Sequence, residues 1–578
     1  MTHDCFVFLI DRSPQKFNSL FLSFFNNMDV ESFLSLNEEK YKTIAIFQTF
    51  LNNITEETFP SIIQYIEDRK NFFFKDRESS IIFLSNIANF SIYNFQQFSL
   101  IQDVFIHFSN EIKSNGIDEL DLIDFNIDML CSLNYLYDKN MITVESLYQK
   151  SIFNDPLFIN FFNEIDDYDH EYATTRADEI LNDVDHNRYD EEDISFLNHV
   201  IQNLEEHRKN RNLNYHSSLF HKAIRDDDID TFQSILSKNN FSINYKFERS
   251  YYERALTEDF NPSLIQVAAV YGSLKIFKFL WMQPSIEISE NLIDYAVSGR
   301  NFEIIHICEN KCPSLRRALV FSIASHQNEL SEYIIENTEI NKEEEDNDND
   351  NIYNSLSYVE LKFALEFMNY KIVIPCLKKI VAIVNKNDKE KSFFTAQLYD
   401  IELFKFLYSN RNPNLNFFDG TNPAYFMWLA SRMFDVIKYL IQFFNPSQLY
   451  QLFEDSIRFD PKVACLLMDL QFDEIENKEE HPIYDAFKKI IGASDYFVIY
   501  AADYFDVNVM TKLLNLYYVI DSPNIFIDIF SSLSTKMLNS LFQNKLTFSS
   551  IEKVYETSAF LKENGMNEAA ELVLKYNQ

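Results

Sequence analysis

Apolar residues recur at three- and four-residue steps along most of this chain, the period of a helix that buries one face. Phe17, Leu20, Phe21, Phe24 and Phe25 set the pattern, and it continues over 43–52, 59–66, 80–94, 97–113, 117–137, 143–151 and 156–165. Turns containing Asn and Asp separate these stretches. Acidic residues crowd Asp166 to Asp193, and a further helix is expected from Ile194 to Lys209. Residues 1–210 therefore read as an all-helical N-terminal domain.

From Ser217 onward the helical stretches shorten and come in pairs. In Ser263-Leu-Ile-Gln-Val-Ala-Ala-Val-Tyr-Gly272-Ser-Leu-Lys-Ile-Phe-Lys-Phe-Leu280 one short helix ends at Gly272 and a second starts at once. Ala268 and Ala269 are small enough for a neighbouring helix to approach. Gly272 can take the left-handed conformation of a turn. The second helix offers Ile276, Phe277, Phe279 and Leu280 as its apolar side. The order returns with Ala296, Gly299 at the turn, and Ile304 with Ile305. An earlier unit runs from Leu219 through Ala223 to Leu236, and a later one from Ala318 through Ala324 to Ile335. Ala268, Ala296 and Ala324 are spaced by 28. Fixed self-similarity of this kind predicts a file of helix pairs, because no single pair can bury both its faces. Pairs are expected to resume after an acidic run, at Leu361–Phe367 with Val373–Val384, and to end in a cap of Ile551–Leu561 with Asn567–Tyr576.

The stretch Ser263 to Ile288 resembles an ankyrin repeat, with Ser263-Leu-Ile-Gln-Val-Ala-Ala in place of the T-P-L-H-x-A start. Three further strings extend the likeness: Leu292-Ile-Asp-Tyr-Ala-Val-Ser-Gly-Arg-Asn-Phe-Glu-Ile-Ile-His-Ile-Cys-Glu309, Glu206-His-Arg-Lys-Asn-Arg211 and Ala223-Ile-Arg-Asp-Asp-Asp-Ile-Asp-Thr-Phe232. Together they closely resemble the large ankyrin-type family expanded in trichomonad protists, whose central segment is a domain of unknown function. The resemblance covers 195–340 and extends over 70–195. It departs from the family in lacking Thr-Pro, and the spacing of 28 falls short of the usual ankyrin period of about 33. A shorter period implies a shorter finger between repeats. The expected fold is thus all-α, a helical N-terminal domain followed by an α-solenoid of degenerate ankyrin-like helix pairs. Its parts are 1–210, ankyrin-like repeats over 217–340, an acidic loop at 341–352, and degenerate repeats with a C-terminal cap over 353–578.

Composition narrows the function. The chain has six glycines, no two of them close together, so neither G-x-G-x-x-G nor a Walker loop can be written anywhere. A net charge of −37 disfavours duplex nucleic acid and anionic membranes, and suits protein partners with basic patches. The six cysteines form no disulfide framework. Phe6 to Ile10 is too short for a signal peptide, and no run approaches the roughly 18 apolar residues of a membrane span. The expected compartment is the cytoplasm.

Candidate chemistry is sparse. His306, Cys308 and Cys312 could offer soft-metal ligands, but no second pair lies near, so a surface His and a small core Cys is the better reading. Asp183 to Ile194 mimics the start of a calcium loop but has Arg188 where Gly is needed and Ile194 where Glu is needed. Neither G-x-S-x-G nor H-E-x-x-H occurs. No catalytic residue, metal or cofactor is expected. The insertion 245–262 carries Tyr245, Arg249, Tyr251, Tyr252, Arg254 and Phe260, residue types enriched where proteins meet. They are the candidate partner-binding residues; the competing reading packs these rings on the N-terminal helices. The expected function is a non-enzymatic scaffold or adaptor binding proteins on its concave face and finger loops. The alternative is a structural subunit of a permanent assembly, such as a cytoskeletal one.

Overall fold

The structure is a computed structural model, and it describes residues 28–126, 129–152, 154–182, 191–211, 218–238, 241–247, 261–309, 311, 316–337, 356–386, 400–410, 452–454, 456–457, 461–469, 509–512, 551–563 and 565–577. Among these the secondary structure is helical, apart from one isolated antiparallel bridge between Lys246 and Ser263. The chain divides into two compact units that do not follow sequence order. One joins 27–142 to 202–412; the other joins 143–201 to the chain beyond 413. The acidic loop at 341–352 lies outside the described residues.

The first unit contains α1 (Val30–Asn52), α2 (Arg77–Tyr93), then the pairs α3 (Leu219–Arg225) with α4 (Ile229–Lys238), α5 (Leu264–Val270) with α6 (Leu274–Trp281), α7 (Leu292–Ser298) with α8 (Phe302–Glu309), α9 (Arg316–Ala324) with α10 (Asn328–Asn337), and α11 (Tyr358–Glu366) with α12 (Tyr370–Lys386), and finally α13 (Ile401–Ser409). Shorter helices connect α1 to α2 and run on to Asp138. The first helices of successive pairs pack side by side, α3 on α5, α5 on α7, α7 on α9 and α9 on α11. The second helices α4, α6 and α8 do likewise.

Side-chain caps start many of these helices, as an oxygen is needed to satisfy the first N–H groups. Asp29 accepts from the N–H of Ser32 and Asp76 from that of Ser79. Ser263 and Gln266 form a capping box at α5, and Ser357 with Glu360 form one at α11.

One turn geometry recurs between the helices of each pair. Its central residue has positive φ: Asp227 at 50°, Gly272 at 66°, Arg300 at 56°, His326 at 56° and Met368 at 50°. Where the bond is resolved, the next N–H reaches back to a carbonyl five residues earlier: Asp228 to Ala223, Ser273 to Ala268, Gln327 to Ser322 and Asn369 to Ala364.

This register corrects two expectations. The residue equivalent to Ala223, Ala268 and Ala296 in the next pair is Ser322, not Ala324, since it is Ser322 that receives the turn bond. The even spacing of 28 is therefore not the structural period. Ser322 keeps the place because its hydroxyl is satisfied inside the core, 2.8 Å from Leu319 O and 2.8 Å from Ser331 Oγ. Gly299 stands at the turn, as expected, but is not its left-handed residue. It has φ −75°, and Arg300 takes the turn. Glycine is required at 299 for proximity, as an added Cβ would lie 2.0 Å from the Ala269 carbonyl oxygen. Leu280 and Ile304 are fully buried, as an apolar second-helix face requires. The expected helix Ile194–Lys209 is broken at Asn203 into Glu191–Gln202 and Leu204–Arg211.

A polar ladder links pair to pair. The residue after each turn donates from its side chain to the preceding pair: Ser273 Oγ to Ile224 O at 2.5 Å, Asn301 Nδ2 to Gly272 O at 3.0 Å, Gln327 Nε2 to Val297 O at 2.8 Å and Asn369 Nδ2 to Ile323 O at 2.9 Å. Each bond adds a contact between pairs at a carbonyl beside the turn; three of these carbonyls also accept a turn N–H, Ile224 from Asp227, Val297 from Arg300 and Ile323 from His326.

The second unit holds helices Val144–Ser151, Asp155–Asn160, Phe162–Tyr168 and His170–Leu181, with Tyr148, Phe158, Tyr168 and Tyr172 in ring contact. It also holds the terminal pair Ile551–Glu563 and Asn567–Asn577, near the expected cap. That pair repeats the turn bond, Met566 N–H to Leu561 O at 2.9 Å.

Candidate functional site

Antiparallel helix pairs have two ends. The turns within pairs form one edge of the file, and the connections between pairs form the other, the finger edge. These edges meet different fates in the structure.

The turn edge is covered by the chain's own N-terminal helices. Along α1, Phe33 stacks on Phe406 at 4.1 Å between ring centroids, and Tyr41 meets Tyr370 at 5.1 Å. Gln48 donates to Met368 O at 2.7 Å, and Asn52 Oδ1 accepts from Arg300 at 2.6 Å. Along α2, Asn89 and Tyr93 meet Phe367, and Phe90 packs on His326 at 4.5 Å. Just beyond, Gln96 reaches Tyr271 O at 3.5 Å. Both helices thus run against the order of the file, from 400 back towards 300 and 271. The lengths match: 23 residues of α1 make about 34 Å, and three steps between packed helices make about 24–30 Å. We call α1 and α2 the strap.

The strap accounts for the left-handed turns at Arg300 and His326. Such a conformation costs about 1–2 kcal/mol per residue and persists where surroundings over-determine it. Arg300 is held by Asn52 and by Ser325 O at 3.1 Å. His326 is held by Phe90 and by its Nε2, 2.9 Å from Phe367 O. Burial lowers the Arg300 guanidinium to about 10. It lowers His326 to about 3, with Arg300 adding to the effect and the Phe367 carbonyl opposing it.

The inner helices are closed as well. Every residue of α5 is buried, and so is every residue of α7 from Leu292 to Val297. A partner could not reach the first helices of these two pairs without displacing protein already there.

At the far end of the strap lies a cluster of charged side chains. Lys40 Nζ is 3.0 Å from Asp400 Oδ1 and 2.7 Å from Glu402 Oε2. One carboxylate oxygen from each of Glu78, Asp400 and Glu402 lies within 4.8 Å of the others. Asp400 also accepts from Leu403 N–H as the cap of α13 and from Tyr370 at 3.2 Å. Burial alone would lower the Lys40 ammonium, but Asp400, Glu402 and Glu78 raise it above the usual lysine range. Burial, Asp400 and Glu402 push Glu78 up to about 7, against Lys40 and Lys405. None of these residues carries a signal in sequence, since Lys40 and Asp400 are 360 residues apart.

The finger edge holds the base of the 245–262 insertion. Phe247 N–H donates to Pro262 O at 2.9 Å and Leu264 N–H to Tyr245 O at 3.2 Å. Tyr245 packs with Phe220, Phe241 and Phe247. It is thus committed to the aromatic cluster of the first pair, not to the N-terminal helices. Arg249, Tyr251, Tyr252, Arg254 and Phe260 lie outside the described residues.

Cys308 is fully buried, whereas His306 is exposed and paired with Glu309 at 2.9 Å. Cys312 and the Asp183 loop lie outside the described residues. Among the described residues, no helix is long and apolar enough to cross a membrane.

Residues 284–363 match a family described as a domain of unknown function, DUF3447. The matched stretch takes in α7 to α10 and the start of α11. No curated protein and no solved structure matches the chain.

Proposed function

We propose that this chain is a non-enzymatic protein-interaction scaffold built on an ankyrin-like solenoid, working in a reducing compartment such as the cytoplasm. Its partners are proteins with basic patches, taken on the finger edge rather than the concave face. One observation carries this reading: a repeated helix pair, joined through a repeated turn and a polar ladder, whose turn edge and inner helices are already occupied. Stacked repeats present a rigid surface, which lowers the ordering cost of binding. The surface left for partners is the finger edge, where the insertion begins and ends, and the sequence of the insertion is rich in Tyr and Arg. Buried thiols at Cys131, Cys308 and Cys376 suit a reducing compartment.

The test is affinity capture with the full chain, comparing wild type with the double variant Tyr251→Ala, Tyr252→Ala. The variant should lose most of the proteins that wild type retains at low salt. Retention of the whole set by the variant would refute the finger-edge assignment.

A further inference from the structure

We infer that Lys40, Glu78, Asp400 and Glu402 form a proton-gated latch that fastens the strap to α13. The cluster joins three elements far apart in sequence, and nothing local requires it. Lys40 comes from α1, Glu78 from the first turn of α2, and Asp400 with Glu402 from the start of α13.

The charge count makes the latch conditional. Asp400 and Glu402 pair with the Lys40 ammonium at contact distance, and a carboxyl oxygen of Glu78 lies within 4.8 Å of an oxygen of each. With Glu78 protonated, Lys40 bridges two carboxylates, and the Glu78 hydroxyl can donate to a neighbouring oxygen. When Glu78 loses its proton to solvent, a third anion stands within 4.8 Å of the two that Lys40 already pairs, and separation of the elements relieves the repulsion. The other groups facing the cluster do not restore balance. Tyr41 on α1 and Tyr370 on α12 are held neutral by burial and by Asp400. Lys405 on α13 lowers the Glu78 value only in part. Protons have a route, because the Glu402 side chain is 41% exposed while Asp400 is 1% exposed.

Opening at this end uncovers a defined surface. Phe33 and Phe406 are fully buried and stacked on each other one step beyond the latch, with Leu403 and Leu407 beside them on α13. Release bares this apolar face while the Arg300 and His326 contacts still hold the other end. The effect is independent of the finger-edge reading, as it is read within the isolated chain.

The sign follows from linkage. Glu78 sits at about 7 when latched, against 4.5 ordinarily. The closed state therefore binds more protons, and the latch weakens as pH rises from 4.5 through 7. These two values give about tenfold more opening at pH 8 than at pH 6.

Hydrogen exchange on the full chain, corrected for the intrinsic effect of pH, tests this. Peptides covering 30–41 and 401–409 should lose about tenfold protection from pH 6 to pH 8, while peptides in 264–298 hold theirs. Glu78→Gln should keep protection at pH 8. Glu402→Gln, which removes one repelling charge at the rim, should shrink the pH response and serves if Glu78→Gln misfolds. Equal protection of wild type at both pH values overturns the latch. An undiminished pH response in the folded variants does so too.

Discussion

Substitution of Gly299 by alanine tests the close packing of the file most directly. A Cβ at this position would sit 2.0 Å from Ala269 O, 3.0 Å from Val270 O and 3.1 Å from Ala269 C. Real contacts of this kind do not fall below 3.0 Å, so α7 and α5 must part by about 1 Å at their crossing. Neither helix has an open side to move into, because both are buried along their length. Overpacking in such a core costs about 1–3 kcal/mol, and the backbone nature of the obstacle puts this case near 3. Urea unfolding followed by far-UV circular dichroism measures the change. In a thermal scan the same loss lowers the midpoint of this large unit by about 4 °C. Gly116→Ala is the comparison, with φ +75° but nothing within 4 Å of the added Cβ. It should cost about 1–2 kcal/mol from backbone strain alone. If Gly299→Ala costs less than Gly116→Ala, the close-approach reasoning is wrong.

Other outcomes follow from the same contacts. Gln327→Ala removes the 2.8 Å bond to the Val297 carbonyl, which keeps its bond from Arg300 N–H at 3.1 Å, and should cost about 0.5–1.5 kcal/mol in urea midpoint titration. Phe33→Ala, at a fully buried site stacked on Phe406, should cost about 3–5 kcal/mol and should raise proteolysis near α13 first. His326, lowered to about 3 when folded against 6.5 ordinarily, binds its proton more readily once exposed. The stability it protects is complete above pH 6.5 and falls as pH drops towards 3, by about 2 kcal/mol at pH 5. Urea midpoints at pH 7 and pH 5 measure this, and His326→Gln should flatten the difference; an unchanged slope in that variant would discount the histidine. The Glu78 latch acts in the opposite sense, so acid and alkaline pH loosen different ends of the strap.

The sequence by itself determined that the described residues are helical and that helix pairs follow one another from Leu219 to Lys386. The apolar period is local and needs no partner to be read. Gly272 was legible because a left-handed turn leaves a mark in residue type, and Leu280 and Ile304 because a buried face recurs at helical spacing. The turn at His326 was not legible, as histidine carries no such mark and keeps the conformation through Phe90 and Phe367. The same cause hid the place of Ser322, where an alanine two residues on fitted the even count better. Only the tertiary structure decided that α1 and α2 lie along the turn edge, and hence which face of the file remains open. That choice rests on contacts such as Lys40 with Asp400 and Asn52 with Arg300. Contacts across hundreds of residues depend on where whole elements come to rest, and no periodicity along the chain encodes that.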